Sequence, residues 1–320
     1  MKAGQGIPVR VAEIETVTPL IRRFTFEHAD GCALPCFSGG SHIVVEMQGA
    51  GRVHRNPYSL MSAPDETRYY QIGVRRVDEG RGGSRFMHEQ VRKGTVLRIS
   101  APVNLFPLVR TRRKHILLAG GIGITPFFAH IVELRRLAVD FELHYAVRDA
   151  SHAGLANDLR DLAGERLHLY LEDRGQTIDM DAVLRGQPLG TDVYVCGPAG
   201  MIEATRAAAR AAGWADSHVH WEQFSAPPPG EPFDVELAHS GIRVHVGADI
   251  SLLEAIEAAG VDAPSLCRGG VCGQCELGVL DLDGELQHND HYLSPEVRAS
   301  GSRIMPCVSR ARCRRLVLAL

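Results

Sequence analysis

Four of the chain's eight cysteines fall into one pattern: Cys267, Cys272 and Cys275 crowd into a single short segment, and Cys307 follows. A fold that uses this pattern must bring four sulfurs together. The first ten residues carry no apolar core of the kind a secretory leader needs, so the expected compartment is the reducing cytoplasm. There such a group points to metal or redox chemistry, not to disulfide staples. The C-x4-C-x2-C spacing with a distant fourth cysteine is the plant-type spacing of [2Fe-2S] ligation. The intervening glycines suit a loop whose amides turn inward onto a negative cluster, since glycine takes positive φ readily. Cys307, beside Pro306, is expected to close the site from a neighbouring strand. The other readings are a tetrahedral zinc site or a loop of free thiols. Structural zinc usually comes in paired C-x2-C knuckles, which this segment lacks. Cys313 sits in a basic C-terminal strand and reads as a half-buried thiol. Cys32, Cys36 and Cys196 lie outside the set.

A chain of 320 residues is too long for one ordinary core, and about two or three domains are expected. The formal net charge of −3 excludes the strong basic excess of a nucleic-acid binder. No segment approaches the roughly 18 uninterrupted apolar residues of a membrane span. Residues 225–232 hold four prolines and a glycine, which cannot continue a helix or a central strand, so 226–232 reads as a semi-rigid linker. A second seam falls near 110–114. Before it, short β-rich runs at 43–47, 69–76 and 96–100 suggest an antiparallel barrel or sandwich. After it, strands at 115–119, 142–146, 167–171 and 192–196 alternate with helical stretches at 126–137, 155–162 and 199–212. That is the rhythm of a parallel sheet covered on both faces. The expected domains are 1–110, 111–225 and, past the linker, 233–320. In the last of these Ser251 and Glu254 form a capping box for a helix over 252–259.

Gly120, Gly121 and Gly123 lead from a strand into a helix that Thr125 and Pro126 are suited to start. A helix opening at the C-terminal end of a parallel strand is an anion site, apt for a pyrophosphate, although a purely structural turn would look similar. Cys196, Gly197 and Pro198 end a later strand of the same sheet, so both turns share one edge. The bland reading of Cys196 is a buried small residue. In the first part, Asn56 and Pro57 precede Tyr58, Ser59 and Leu60. Further on Arg81, Gly82, Gly83 and Ser84 enter a short helix and could cradle a terminal phosphate. Singly, Tyr58 reads as core and Arg81 as a surface charge.

Taken in order, these motifs resemble the phthalate dioxygenase reductase family, in its flavin-first, ferredoxin-last arrangement. The resemblance spans nearly the whole chain and includes the segment Asn104 to Pro107 and the stretch Glu222, Gln223, Phe224. It implies an FMN-binding antiparallel β-barrel, an α/β parallel-sheet domain for NADH, and an α+β plant-type ferredoxin domain of β-grasp form. By motif position, Tyr58 and Ser59 would touch the flavin, with Asn56 and Leu60 beside it, and Arg81 to Ser84 would hold its phosphate. Thr125 and Cys196 would flank the nicotinamide, and Phe224 would cover the ring. The four clustered cysteines would hold the metal. The segments 37–42 and 220–224 look most like reductases of carnitine-type monooxygenases. Many members carry Arg-x-Tyr-Ser, whereas here Asn56 takes that position and Arg55 is displaced by one, which sends its side chain to the opposite face of a strand.

The implied function is a reductase passing electrons from NADH through FMN and a [2Fe-2S] cluster to a Rieske-type terminal oxygenase. A donor with a transient partner can be monomeric. Arg148 could meet a 2′-phosphate or be a solvated loop charge. The rival readings are a flavin reductase acting on free flavin or oxygen, and a non-enzymatic iron–sulfur nucleotide-binding sensor.

Overall fold

The computed structural model describes residues 6–49, 52–224 and 229–320. Of the expected linker, residues 226–228 lie outside the described residues, and 229–232 have no regular secondary structure. The chain forms two compact units. One comprises Ile7–Asp78 and Gly82–Phe224; the other ends at Leu320 and takes in Glu79–Arg81.

The first sheet is antiparallel. It contains β1 (Ile7–Thr18), β2 (Ile21–His28), β3 (Ser41–Gly49), β4 (Arg52–Ser59), β5 (Tyr69–Arg75), β6 (Val96–Ile99) and β7 (Val103–Asn104), with helix α1 (Gly83–Glu89) between β5 and β6. The strand order is β4-β3-β6-β1-β2-β5, with β7 on β3. A single bridge from Leu60 to Ile72 brings the end of β4 back to β5, so the sheet curls into a barrel. Alternate positions carry β-branched and aromatic residues inward: Val9 and Val11, Phe24 and Phe26, Ile72 and Val74 all pack in one core. The Thr18 hydroxyl accepts from the amides of Leu20 (3.2 Å) and Ile21 (3.0 Å), fixing the β1–β2 turn.

The second sheet is wholly parallel, in the order β10-β9-β8-β11-β12. Its elements are β8 (Lys114–Gly120), α2 (Thr125–Arg136), β9 (Asp140–Val147), α3 (Ala156–Ala163), β10 (Leu167–Leu171), α4 (Met180–Leu184), β11 (Thr191–Cys196), α5 (Ala199–Ala211) and β12 (Val219–Glu222). Every residue of β11 is buried, as expected of a central strand with both faces covered. Leu117 and Ala119 face the core under α2, and Ile116 and Leu118 face the core under α5. Two elements went unread in the sequence: the edge strand β12 and the short helix α4. The carboxylate of Asp192 is fully buried between His218 Nδ1 (2.7 Å), His220 Nε2 (2.8 Å) and Arg112 Nε (2.8 Å). Burial alone would raise its pKa, but the bonds from His220 and Arg112 outweigh that and hold it low.

The third sheet is mixed, ordered β14-β13-β17-β15-β16. It is built from β13 (Phe233–Leu237), β14 (Ile242–Val246), α6 (Leu252–Ala258), β15 (Leu277–Gln287), α7 (Pro295–Ser300), β16 (Arg303–Ile304) and β17 (Arg310–Leu318). The two outermost segments in sequence, β13 and β17, lie parallel, and the other pairs are antiparallel. The capping box at Ser251 and Glu254 is present, and it aims Leu252, Leu253 and Ile256 into the core. The buried guanidinium of Arg310 donates to the carbonyls of Ile250 (2.6 Å), Gly247 (2.9 Å) and Glu231 (3.1 Å), tying the start of this unit to its last strand. Among the described residues no helix is long and apolar enough to cross a membrane.

Candidate functional site

At the C-terminal edge of the parallel sheet the chain turns twice, after β8 and after β11. Gly121–Ile124 form one 3-10 turn and α2 begins at Thr125, with Pro126 in its first turn. The two turns touch backbone to backbone. A Cβ on Gly123 would collide with the Cys196 carbonyl and stand 3.0 Å from the Gly197 amide nitrogen. A Cβ on Gly120 would lie 2.6 Å from Pro198 Cδ and 2.9 Å from Met201 Sδ. Space, not conformational freedom, requires these glycines.

A cleft of about 570 Å³ opens there. It is lined by the glycine turn, Gly197, Pro198 and Met201, by Ala146, Val147, Arg148 and Glu172 at the ends of β9 and β10, and by Phe224. Leu20, Ile21 and Arg75 of the barrel close its other side. Of the sequence candidates, Gly120, Gly121, Gly123, Gly197, Pro198 and Phe224 meet in this cleft. Cys196 lies beneath its floor, fully buried. Burial, and then the nearby carboxylate of Glu222, push its thiol pKa well up. It is a neutral thiol and no nucleophile. Thr125 donates to the Ile122 carbonyl (3.1 Å), and its methyl faces Gly73 of β5. Thr125 thus sits where the parallel sheet meets the barrel.

On β4, Ser59 is buried and its hydroxyl has no hydrogen-bond partner among the described residues. Directly across the β3–β4 ladder stands His42, also buried, with both ring nitrogens unpartnered; burial lowers its pKa to about 4. Two adjacent orphaned polar side chains are unusual in a folded interior and fit a polar group supplied by a ligand. His42 ends the segment 37–42, and nothing local in that segment marks it as a ligand contact. Its pairing with Ser59 depends on strand register. Tyr58 Oη accepts from Asn56 Nδ2 (3.3 Å), and burial raises the phenol to about 12. Asn56 also packs onto Gly83, where an added Cβ would stand 2.5 Å from Asn56 Nδ2, so Asn56, Tyr58 and Gly83 form one cradle. Leu60 is core. Arg55 turns away, as the one-residue shift predicts, and pairs with Glu46 (2.9 Å). Two members of the expected phosphate group are otherwise engaged. Ser84 Oγ accepts from the Val77 amide (3.1 Å), and Arg81 pairs with Glu254 (2.8 Å).

In the C-terminal unit the four cysteines converge. Cys275 and Cys307 sulfurs are 3.2 Å apart, and Cys267 hydrogen-bonds with Cys272. The group is therefore two pairs. Among the described residues, no three of these sulfurs lie mutually within 4.8 Å; that condition is met only at Glu142, His144 and His168. Paired sulfurs suit two metal atoms better than the single tetrahedral ion of a zinc site. The Cys272 thiol, and then the amides of Gly269, Val271 and Cys272 against an opposing burial effect, pull the Cys267 thiol down to about 5. The Gly269 amide points at its sulfur (3.3 Å). Gly270 and Gly273 take positive φ as expected, but so does Arg268 (φ 54°). Its buried guanidinium makes a two-pronged pair with Glu257 of α6 (2.8 and 2.6 Å), which holds that backbone in place. Cys307 lies in the turn between β16 and β17, not on a strand as expected from sequence. Cys313 is half-buried on β17.

Three comparisons place this architecture. Family models match residues 8–107 (oxidoreductase FAD-binding domain), 100–219 (dimethylamine monooxygenase subunit DmmA-like, N-terminal domain) and 235–312 (2Fe-2S iron-sulfur cluster binding domain). The heme-dependent oxidative N-demethylase beta subunit of Ectopseudomonas mendocina is 51% identical, covering 95% of this chain and 96% of the relative. The carnitine monooxygenase reductase subunit of Acinetobacter baumannii is 45% identical over 98% of both. The solved structure of phthalate dioxygenase reductase superposes with a TM-score of 0.88, at 31% identity and 99% coverage of each chain.

Replacing Gly123 with alanine should force the two turns apart, at a cost of about 1–3 kcal/mol, as for other overpacked sites. Thermal unfolding of the first unit should move to lower temperature; an unchanged midpoint would show that the turns are not in contact.

Proposed function

Because the chain belongs to the phthalate dioxygenase reductase family, whose members join flavin-binding and [2Fe-2S] domains in reductases of oxygenase systems, we propose that it carries electrons from NADH through FMN to a [2Fe-2S] cluster and on to a Rieske-type terminal oxygenase. Residues 1–110 are assigned to the flavin, 111–225 to the nicotinamide nucleotide and 233–320 to the cluster. The observation that carries the reading is the coexistence in one chain of the orphaned Ser59 and His42, the glycine-floored cleft and the two thiol pairs.

When bound, the flavin supplies the step from paired to single electrons that nicotinamide and a one-electron cluster require. The chain's own residues bind and orient. Ser59 offers its free hydroxyl to the polar edge of the ring, with Tyr58 against it and Leu60 behind. Asn56, Gly82 and Gly83 take the phosphate, and Ser84 joins them once its hydroxyl leaves the Val77 amide. Gly120, Gly121, Gly123, Gly197 and Pro198 give the pyrophosphate of the nucleotide a floor without side chains. Thr125 and the neutral Cys196 set the position of the nicotinamide, where alignment matters more than acid–base help. Phe224 covers the ring until it is displaced. Glu172 shares the cleft with Arg148 and offsets its attraction for a 2′-phosphate, which supports NADH over NADPH. Cys267, Cys272, Cys275 and Cys307 hold the cluster.

A second reading of the partner is supported by the 51% identity to an N-demethylase beta subunit: the electrons would then go to a haem-dependent N-demethylase.

Flavin released by heating should chromatograph as FMN; FAD would overturn that assignment. Cys196→Ala should slow NADH-driven flavin reduction about tenfold in stopped flow, the scale of a lost positioning contact, with flavin content unchanged. An unaltered rate would remove Cys196 from the site. Cys272→Ser should retain flavin reduction and lose transfer to a one-electron protein acceptor such as cytochrome c. Full retention of cytochrome reduction would break the route through the cluster.

A further inference from the structure

Away from the cleft, on the face of the parallel sheet opposite α2, Glu142, His144 and His168 present three ligand atoms mutually within 4.8 Å. The strands explain the convergence. Glu142 and His144 are two apart on β9 and share a face, and His168 of β10 lies directly opposite His144 in the parallel ladder. The two imidazoles stack nearly parallel, 18° apart with centroids at 4.7 Å, so the exposed His168 ring must turn out of the stack to aim a nitrogen at an ion shared with His144. We propose that these three side chains form a binding site for a late first-row divalent ion such as Zn2+, tying β9 to β10.

The donor geometry supports this. His144 Nε2 and Glu142 Oε2 are 3.4 Å apart. Two ligands on a tetrahedral ion at bond lengths of roughly 2.0–2.1 Å stand about 3.3–3.4 Å apart. Each of these ligands also has an outer partner that fixes its orientation. The other ring nitrogen of His144 bonds to Tyr170 Oη (2.9 Å). The other oxygen of Glu142 accepts from Lys114 Nζ (2.6 Å), itself held by Gln187 (3.0 Å). Supports of this kind, a hydrogen bond on the far nitrogen of a ligating histidine and on the second oxygen of a carboxylate, are what metal sites use to set tautomer and ligand direction. Two imidazoles with one carboxylate select zinc, cobalt, nickel or copper over magnesium or calcium. His144 is buried and His168 exposed, so the fourth position faces solvent. The Lys114 ammonium opposes a second cation nearby, which sets the affinity below that of a structural zinc site.

The test is calorimetric titration of Zn2+ into the holoprotein, wild type against His168→Ala and Glu142→Gln. Exposed Cys32 and Cys36 are common to all three proteins, so they contribute equally. An unchanged visible spectrum shows that each variant keeps its fold and cofactors. One Zn2+ equivalent should weaken at least about tenfold in each variant. A Zn2+-soaked crystal should show an anomalous peak among the three side chains. Unchanged affinity in either variant, or no peak there, would overturn the three-ligand assignment.

Discussion

The first unit depends on a close approach of backbone to backbone. Where Gly123 meets Cys196 and Gly197 there is no room for a side chain. That contact brings the turns after β8 and β11 to one edge and leaves a cleft whose floor is main chain. Because the strands are parallel, every turn at that edge follows a strand's C-terminal end, so the β9 and β10 ends supply Arg148 and Glu172 to the same opening. Thr125, the first residue of α2, is carried against β5 of the barrel. Parallel pairing, small residues at the turns and a buried β11 thus converge on one consequence: an open cleft with a main-chain floor beside the barrel, which is where the proposed nucleotide would lie.

The second unit solves a different problem. Four thiols must be held close, and thiolates so close repel: hydrogen bonds from Cys272 and Cys307 pull the Cys267 and Cys275 thiols down, and the same bonds push Cys272 and Cys307 up. The loop answers with inward amides, as at Gly269, and with backbone conformations that most residues avoid. The Arg268–Glu257 pair anchors the loop to α6, whose apolar face is fixed by its capping box. Buried charged side chains tie strands together in both units. Asp192 with His218, His220 and Arg112 fixes β11 to β12 in the first unit, much as Arg310 joins the ends of the second.

What was legible in the sequence was local. The spacing of Cys267, Cys272 and Cys275, the glycine turn with its Thr-Pro helix start and the capping box each lie within about a dozen residues and obey short-range rules, and each reappears in the structure. The displacement of Arg55 was also readable, because strand alternation has a fixed period of two. Features set by distant contacts were not readable. His42 joins Ser59 only through β3–β4 register. Arg268 keeps a positive φ because Glu257, on another element, holds it. Cys307 falls on a turn because β16 is only two residues long. The edge strand β12 was hidden in a motif noted for its composition, since four half-buried residues show no clear periodicity.

The central claim is that paired electrons enter at the cleft and leave singly at the cysteine cluster. It is tested most directly by titrating the purified holoprotein with NADH in the absence of oxygen, following visible absorption and electron paramagnetic resonance together. The account predicts bleaching of both flavin and iron–sulfur absorption and a paramagnetic signal from the reduced cluster. Bleaching of the flavin with the cluster left oxidised, or protein that holds neither chromophore after reconstitution with iron, sulfide and flavin, would contradict it.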